Sequence, residues 1–104
     1  MDMNKILQQA AKMQEELAKA QEELAHETVE ATAGGGMVTV KANGARQIVA
    51  IEISPEAIDP DDPEMLADMI LAAVNEALRS AESLMEARLG GMMGGLGGLG
   101  LPGL

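Results

Sequence analysis

The chain opens with an apolar seam whose members fall three and four residues apart: Met3, Ile6, Ala10, Met13, Leu17, Ala20 and Leu24. This is the a/d spacing of a helix that lays one narrow stripe against a partner helix. The residues between are mainly Gln, Glu, Lys and Ala, all good helix formers, and no Gly or Pro interrupts them. The pattern predicts a first helix from Met3 to about Ala25, roughly 33 Å long. Glu15–Lys19 and Lys12–Glu16 add support at i,i+4.

From His26 the period changes from helical to alternating. In HETVEATA, Val29, Ala31 and Ala33 alternate with Thr28, Glu30 and Thr32, which predicts a strand over His26–Ala33. Gly34-Gly35-Gly36 breaks it, and Met37–Ala42 (MVTVKA) reads as a second strand. Asn43-Gly44 is a hairpin signal. Arg46–Ile53 (RQIVAIEI) is then the third strand, with Val49, Ile51 and Ile53 on one face and an end at Ser54-Pro55.

The segment Asp59-Pro60-Asp61-Asp62-Pro63-Glu64 announces a second helix. Asp62 can cap it, Pro63 suits the first helical position, and acids in the first turn suit the helix dipole. Leu66, Met69, Ile70, Ala73, Val74, Ala77, Leu78, Ala81, Leu84 and Met85 form a stripe broad enough to cover a sheet and still meet another helix. Gly90-Gly91 predicts its end at about Leu89. The expected fold is α+β: an α-β-β-β-α subunit with a three-stranded antiparallel sheet and two long helices. Residues 1–89 make the domain and 90–104 a flexible Gly/Met/Leu-rich tail. There is no internal repeat.

Composition sharpens this picture. A single domain of 104 residues without one Phe, Tyr or Trp buries only ~60% of its unfolded surface and lacks the largest apolar side chains. A second copy of the chain is the simplest way to complete such a core. The absence of cysteine removes disulfides and thiolate metal sites and fits a reducing cytoplasm. The opening MDMNKILQQAAKMQ is too polar for a signal peptide, and no apolar run approaches the ~20 residues of a membrane span.

Net charge is −10 and the pI about 4.3, so the molecule as a whole does not attract nucleic acid. Any polyanion must be met locally. Lys5, Lys12 and Lys19 fall one heptad apart, at position c beside the apolar seam, and offer such a row. Arg79 and Arg88 on the second helix, and Lys41 and Arg46 beside the hairpin, supply the other basic charges. The row also reads as an ordinary solvated face, since Glu15 and Glu22 at f and Glu16 and Glu23 at g flank it.

Other candidate chemistry is weaker. The three glycines are followed by a strand, whereas a phosphate loop needs a helix N-terminus and usually a Lys-Ser/Thr. Asp59, Asp61, Asp62 and Glu64 lack the D-x-D-x-D-G spacing of a calcium loop, and helix capping accounts for them better. His26, the single histidine, has no serine or cysteine motif around it. No paired acid and base, activated nucleophile or metal-ligand spacing is present, so neither enzyme, cofactor nor small-molecule substrate is expected.

The assembled pattern resembles the YbaB/EbfC family of bacterial nucleoid-associated proteins over nearly the whole chain. The resemblance rests on KMQEELAKAQEEL, VEATAGGGMVTVKANG, the run I-x-I-S-P-E-A-I-D-P-D-D-P-E-M-L-x-D, the helical AAVNEAL and the terminal LPGL. It implies a tweezer-like homodimer whose sheets pair and whose helices project. It also implies duplex DNA as partner, a cytoplasmic, nucleoid location, and effects on DNA conformation, nucleoid organisation, DNA protection and gene expression. The elements that would grip DNA are the first helix, with Lys5, Lys12 and Lys19, and the second helix, with Arg79 and Arg88. Lysines are point charges rather than bidentate readers of guanine, so little sequence preference is expected. The alternative is a protein-interaction module, in which the Met-rich seam adapts to varied partner chains.

Overall fold

A computed structural model describes residues 2–97, with side chains given as far as Gly91. The order is α1 (Met3–His26), β1 (Thr28–Ala33), β2 (Val38–Asn43), β3 (Ile48–Ile53), a 3₁₀ turn at Pro55–Ala57, and α2 (Pro63–Gly97). The strands form one antiparallel sheet in the order β1-β2-β3. The α+β fold with its two long helices is the one expected.

The sheet's two faces follow from its register. Val29, Ala31 and Ala33 of β1 lie opposite Ala42, Val40 and Val38 of β2. A bulge on β3 at Val49, opposite Lys41 and Ala42, shifts the pairing, so Ile48 rather than Val49 stands level with Ala42, followed by Ile51 and Ile53 opposite Val40 and Val38. Directly opposed residues share a face, which makes three apolar rows, each crossing all three strands. The reverse face carries Thr28, Glu30, Thr32, Thr39 and Lys41, with Lys41 3.9 Å from Glu30 and 3.8 Å from Glu52.

Helix α2 begins as the sequence predicts. Asp62 Oδ1 accepts the Met65 N–H at 3.2 Å, Pro63 opens the helix, and Glu64 sits in its first turn. It lies on β1 and β2 through Ala73, Ala77 and Ala81, all fully buried against Ala31, Val38, Val40 and Ala42, with Leu66, Met69, Ile70 and Val74 at the sides. Alanine there lets the helix approach the sheet closely, and Val38 and Val40 are the largest fully buried side chains. Such a contact has no room for growth. Ala77→Leu is expected to destabilise the protein by about 1–3 kcal/mol, read as a lower urea midpoint at unchanged m-value.

Helix α2 does not stop at Leu89. It runs through Gly90 and Gly91 to Gly97, 35 residues in all. Each glycine costs ~1 kcal/mol in a helix interior, but propagation from a long formed helix adds one hydrogen bond per residue fixed and needs no new nucleus. Of the predicted tail, residues 98–104 lie outside the described residues. Among the described residues no helix is long and apolar enough to cross a membrane.

The molecule measures 72 × 27 × 16 Å, with a radius of gyration of 19.9 Å, against ~13 Å for a compact chain of this length. Much of the excess comes from helices that reach beyond the sheet.

Candidate nucleic-acid interface

Helix α1 is an arm. Asp2 caps its start by accepting the Asn4 N–H at 3.0 Å. Every residue from Asp2 to Lys19 is exposed, and only Ala20 and Leu24 are buried. The seam read as a partner-facing stripe is open along most of its length: Met3 is 70% exposed, Met13 47% and Leu17 41%. Among the described residues the arm is buried only in its last two turns.

Its socket is the β2–β3 hairpin together with α2. Gln21 and Leu24 border a small hollow with Gly44, Ala45, Met85 and Leu89. The Gly44 N–H donates to the carbonyl oxygens of Leu24, at 2.8 Å, and Glu27, at 3.0 Å. A methyl on Gly44 would lie 2.7 Å from the Leu24 oxygen, so the arm's backbone rests directly on the turn. Asn43-Gly44 marks the hairpin as expected, but by another route than a two-residue turn with both residues left-handed. Here Arg46 takes the left-handed conformation, at φ 63°, and neither Asn43 nor Gly44 does. Arg46 N–H donates to Asn43 O at 3.0 Å, closing a turn with a left-handed third loop residue. Asn43 is buried and fully used: its Oδ1 accepts the N–H groups of Ala45 and Gln47, and its Nδ2 donates to Gln47 Oε1.

The basic residues divide into two groups. Ion pairs among the described residues occupy Lys41, Arg79 and Arg88 and leave Lys5, Lys12, Lys19 and the hairpin's Arg46 unpaired. Arg79 is bound within its own helix to Glu76, at 2.7 Å. Arg88 reaches across to the base of the arm, where it meets Glu23 at 2.6 Å and also Glu27. The structure therefore brings Arg88 to the foot of the lysine row, with its charge matched by two carboxylates, and does not bring Arg79 there.

Along the arm the charge is uneven. Residues 3–14 hold Lys5 and Lys12 and no acid, whereas residues 15–26 hold Lys19 among Glu15, Glu16, Glu22 and Glu23. The Asp2 carboxylate at the cap offsets the helix dipole at the tip, so the positive charge there is that of Lys5 and Lys12. The outer half of the arm is thus a basic surface on an otherwise acidic molecule. This gradient, like the open first turn, was readable from residue positions once the free end of the helix was known.

A three-stranded antiparallel sheet, covered on one face by a long helix and preceded by a projecting one whose outer half carries Lys5 and Lys12, defines a small α+β protein. A model of the YbaB/EbfC DNA-binding family matches residues 1–96, and the chain belongs to that family. It is 54% identical to a nucleoid-associated protein of Acetivibrio thermocellus, over 99% of this chain and 89% of that one. With a nucleoid-associated protein of Chloroflexus aurantiacus it shares 52% identity, over 95% of this chain and 99% of that one. An uncharacterized Helicobacter pylori protein, HP0035, has the same fold in its crystal structure, with a TM-score of 0.78 at 22% identity, covering 89% of this chain and 98% of that one.

Proposed function

We propose that this chain is a nucleoid-associated architectural protein that binds duplex DNA as a homodimer with little sequence preference. The observation that carries the reading is the arm: Lys5, Lys12 and Lys19, unpaired among the described residues, on a helix exposed from Asp2 to Lys19, in a chain of a DNA-binding family. The lysines meet phosphates, Arg79 adds charge along α2, and the acidic remainder repels DNA from other surfaces. Two arms acting on one duplex bend or bridge it. That action supports roles in nucleoid organisation, DNA protection and gene expression.

Two apolar surfaces support self-association. One is the open seam of α1. The other is the third column of the sheet, where α2 covers β1 and β2 but leaves Ile48 36% and Ile51 46% exposed. An aspartate at position 51 would face water in a monomer at little cost and would be buried unpaired in a dimer. Ile51→Asp is expected to yield a folded monomer by analytical ultracentrifugation; a variant that stays dimeric would place the interface elsewhere.

The exposed Met3 and Met13 also favour a second reading, a module whose seam binds other protein chains. A salt titration on random-sequence duplex separates the two. Six lysine–phosphate contacts in the dimer give a slope of roughly −5 in log K against log salt. A flat response, or no binding at low salt, would favour the protein-binding module.

A further inference from the structure

Arg88 stands at the junction of three elements. Its Nη1 donates to Glu23 Oε2 at 2.6 Å, and its Nη2 donates to Glu27 Oε1. The two carboxylates are four residues apart, on the last turn of α1 and on the residue that caps it. Glu27 is also the link to β1, and its carbonyl receives the Gly44 N–H. One guanidinium on α2 therefore holds the end of α1 and the start of the sheet. It also places a cation at the C-terminus of α1, which suits the helix dipole.

We infer that Arg88 is a positioning residue, a clip that fixes the direction in which the arm leaves the fold, rather than a contact to DNA. The inference rests on the reading of α1 as the DNA-binding arm. Among the described residues the arm is anchored between Ala20 and Glu27, so a small rotation at the base sweeps Lys5 through a large arc, about 22 Å from Ala20 along the helix. Ala20 and Leu24 give apolar contact and Gly44 gives two backbone hydrogen bonds, which set the height of the helix above the turn. Arg88 adds a second, lateral constraint, because its planar fork engages two carboxylates at once. Its own charge is over-compensated by those two acids, which makes the cluster a poor place to receive a phosphate.

The clip and a simple charge effect predict opposite signs for one variant. Glu23→Gln/Glu27→Gln removes two negative charges per chain and frees Arg88. On charge alone DNA should bind more tightly. With the clip lost the arms should misalign, and affinity for random duplex should fall about five- to tenfold, a loss moderated by the partial exposure of the pair. Arg88→Gln should give a similar loss with the salt slope unchanged, and Arg88→Lys, a point charge, a smaller one. The arm is measured directly by electron–electron distance between spin labels at Gln9→Cys and Thr32→Cys, clean because the chain has no cysteine, with labelled chains diluted into unlabelled ones. A narrow distribution that broadens in Arg88→Gln, at native circular dichroism, is expected. An unchanged distribution, tighter DNA binding by Glu23→Gln/Glu27→Gln, or a salt slope shallower by about 2 in Arg88→Gln, one phosphate per subunit, would overturn the clip. If the unaltered chain binds no DNA while the distribution still broadens, the DNA reading fails and the clip on the arm stands.

Discussion

Lys5→Ala/Lys12→Ala/Lys19→Ala is expected to remove most of the salt dependence of DNA binding while leaving fold and dimer intact. All three side chains are exposed and none is in an ion pair among the described residues, and alanine is the best helix former, so the arm should keep its structure. Six phosphate contacts would cost the unaltered dimer about a thousandfold in affinity between 50 and 200 mM salt, and the triple variant should lose only a few-fold over the same range. At 50 mM salt its affinity should lie about 100-fold or more below that of the unaltered protein. Single variants rank the positions. Lys5 and Lys12, in the acid-free half of the arm, should each matter more than Lys19, which stands among Glu15, Glu16, Glu22 and Glu23. Equal slopes for variant and unaltered protein would move the DNA surface to Arg79 or to the hairpin.

The parts of this molecule that were legible in its sequence are those set by local rules. The a/d seam gives α1, alternation gives the strands, and Asp62-Pro63 gives the start of α2, because periodicity, capping and proline geometry act within a few residues. The lysine row was equally plain. What sequence could not place depends on partners far along the chain. Arg88 finds Glu23 and Glu27 across more than sixty residues, and nothing near Arg88 distinguishes it from Arg79. The bulge that brings Ile48 level with Ala42 breaks the simple alternation of β3, where the hairpin's three-residue loop and left-handed Arg46 fix the pairing. Gly90 and Gly91 read as a stop yet stand inside α2, because a glycine pair weakens a helix without ending it unless the chain turns there. Asn43-Gly44 marks the hairpin, but the closeness of Gly44 to Leu24 lies outside what the local pattern can show.

That closeness makes Gly44→Ala a damaging single methyl group. The added carbon would lie 2.7 Å from both Leu24 Cδ2 and the Leu24 carbonyl oxygen and 2.9 Å from Leu24 Cβ. The side chain can turn away, but the carbonyl belongs to the last turn of α1 and cannot move alone. Relief requires α1 to lift off the hairpin, which strains or breaks the two hydrogen bonds from the Gly44 N–H and opens the hollow beside Met85 and Leu89. Overpacking of this kind costs ~1–3 kcal/mol and each lost hydrogen bond ~0.5–1.5 kcal/mol, so a total near 3 kcal/mol is expected. For a domain of this size that is a fall of roughly 12–24 °C in Tm. Leu24→Ala in the same chain removes the Cδ2 contact but leaves the oxygen, so the double variant should not regain the stability lost. A full rescue would show that the side chain alone was at fault. DNA affinity should fall together with stability, because the socket that holds the arm is the part that gives way. A Gly44→Ala protein with unaltered Tm and full DNA affinity would mean that α1 does not rest on this turn.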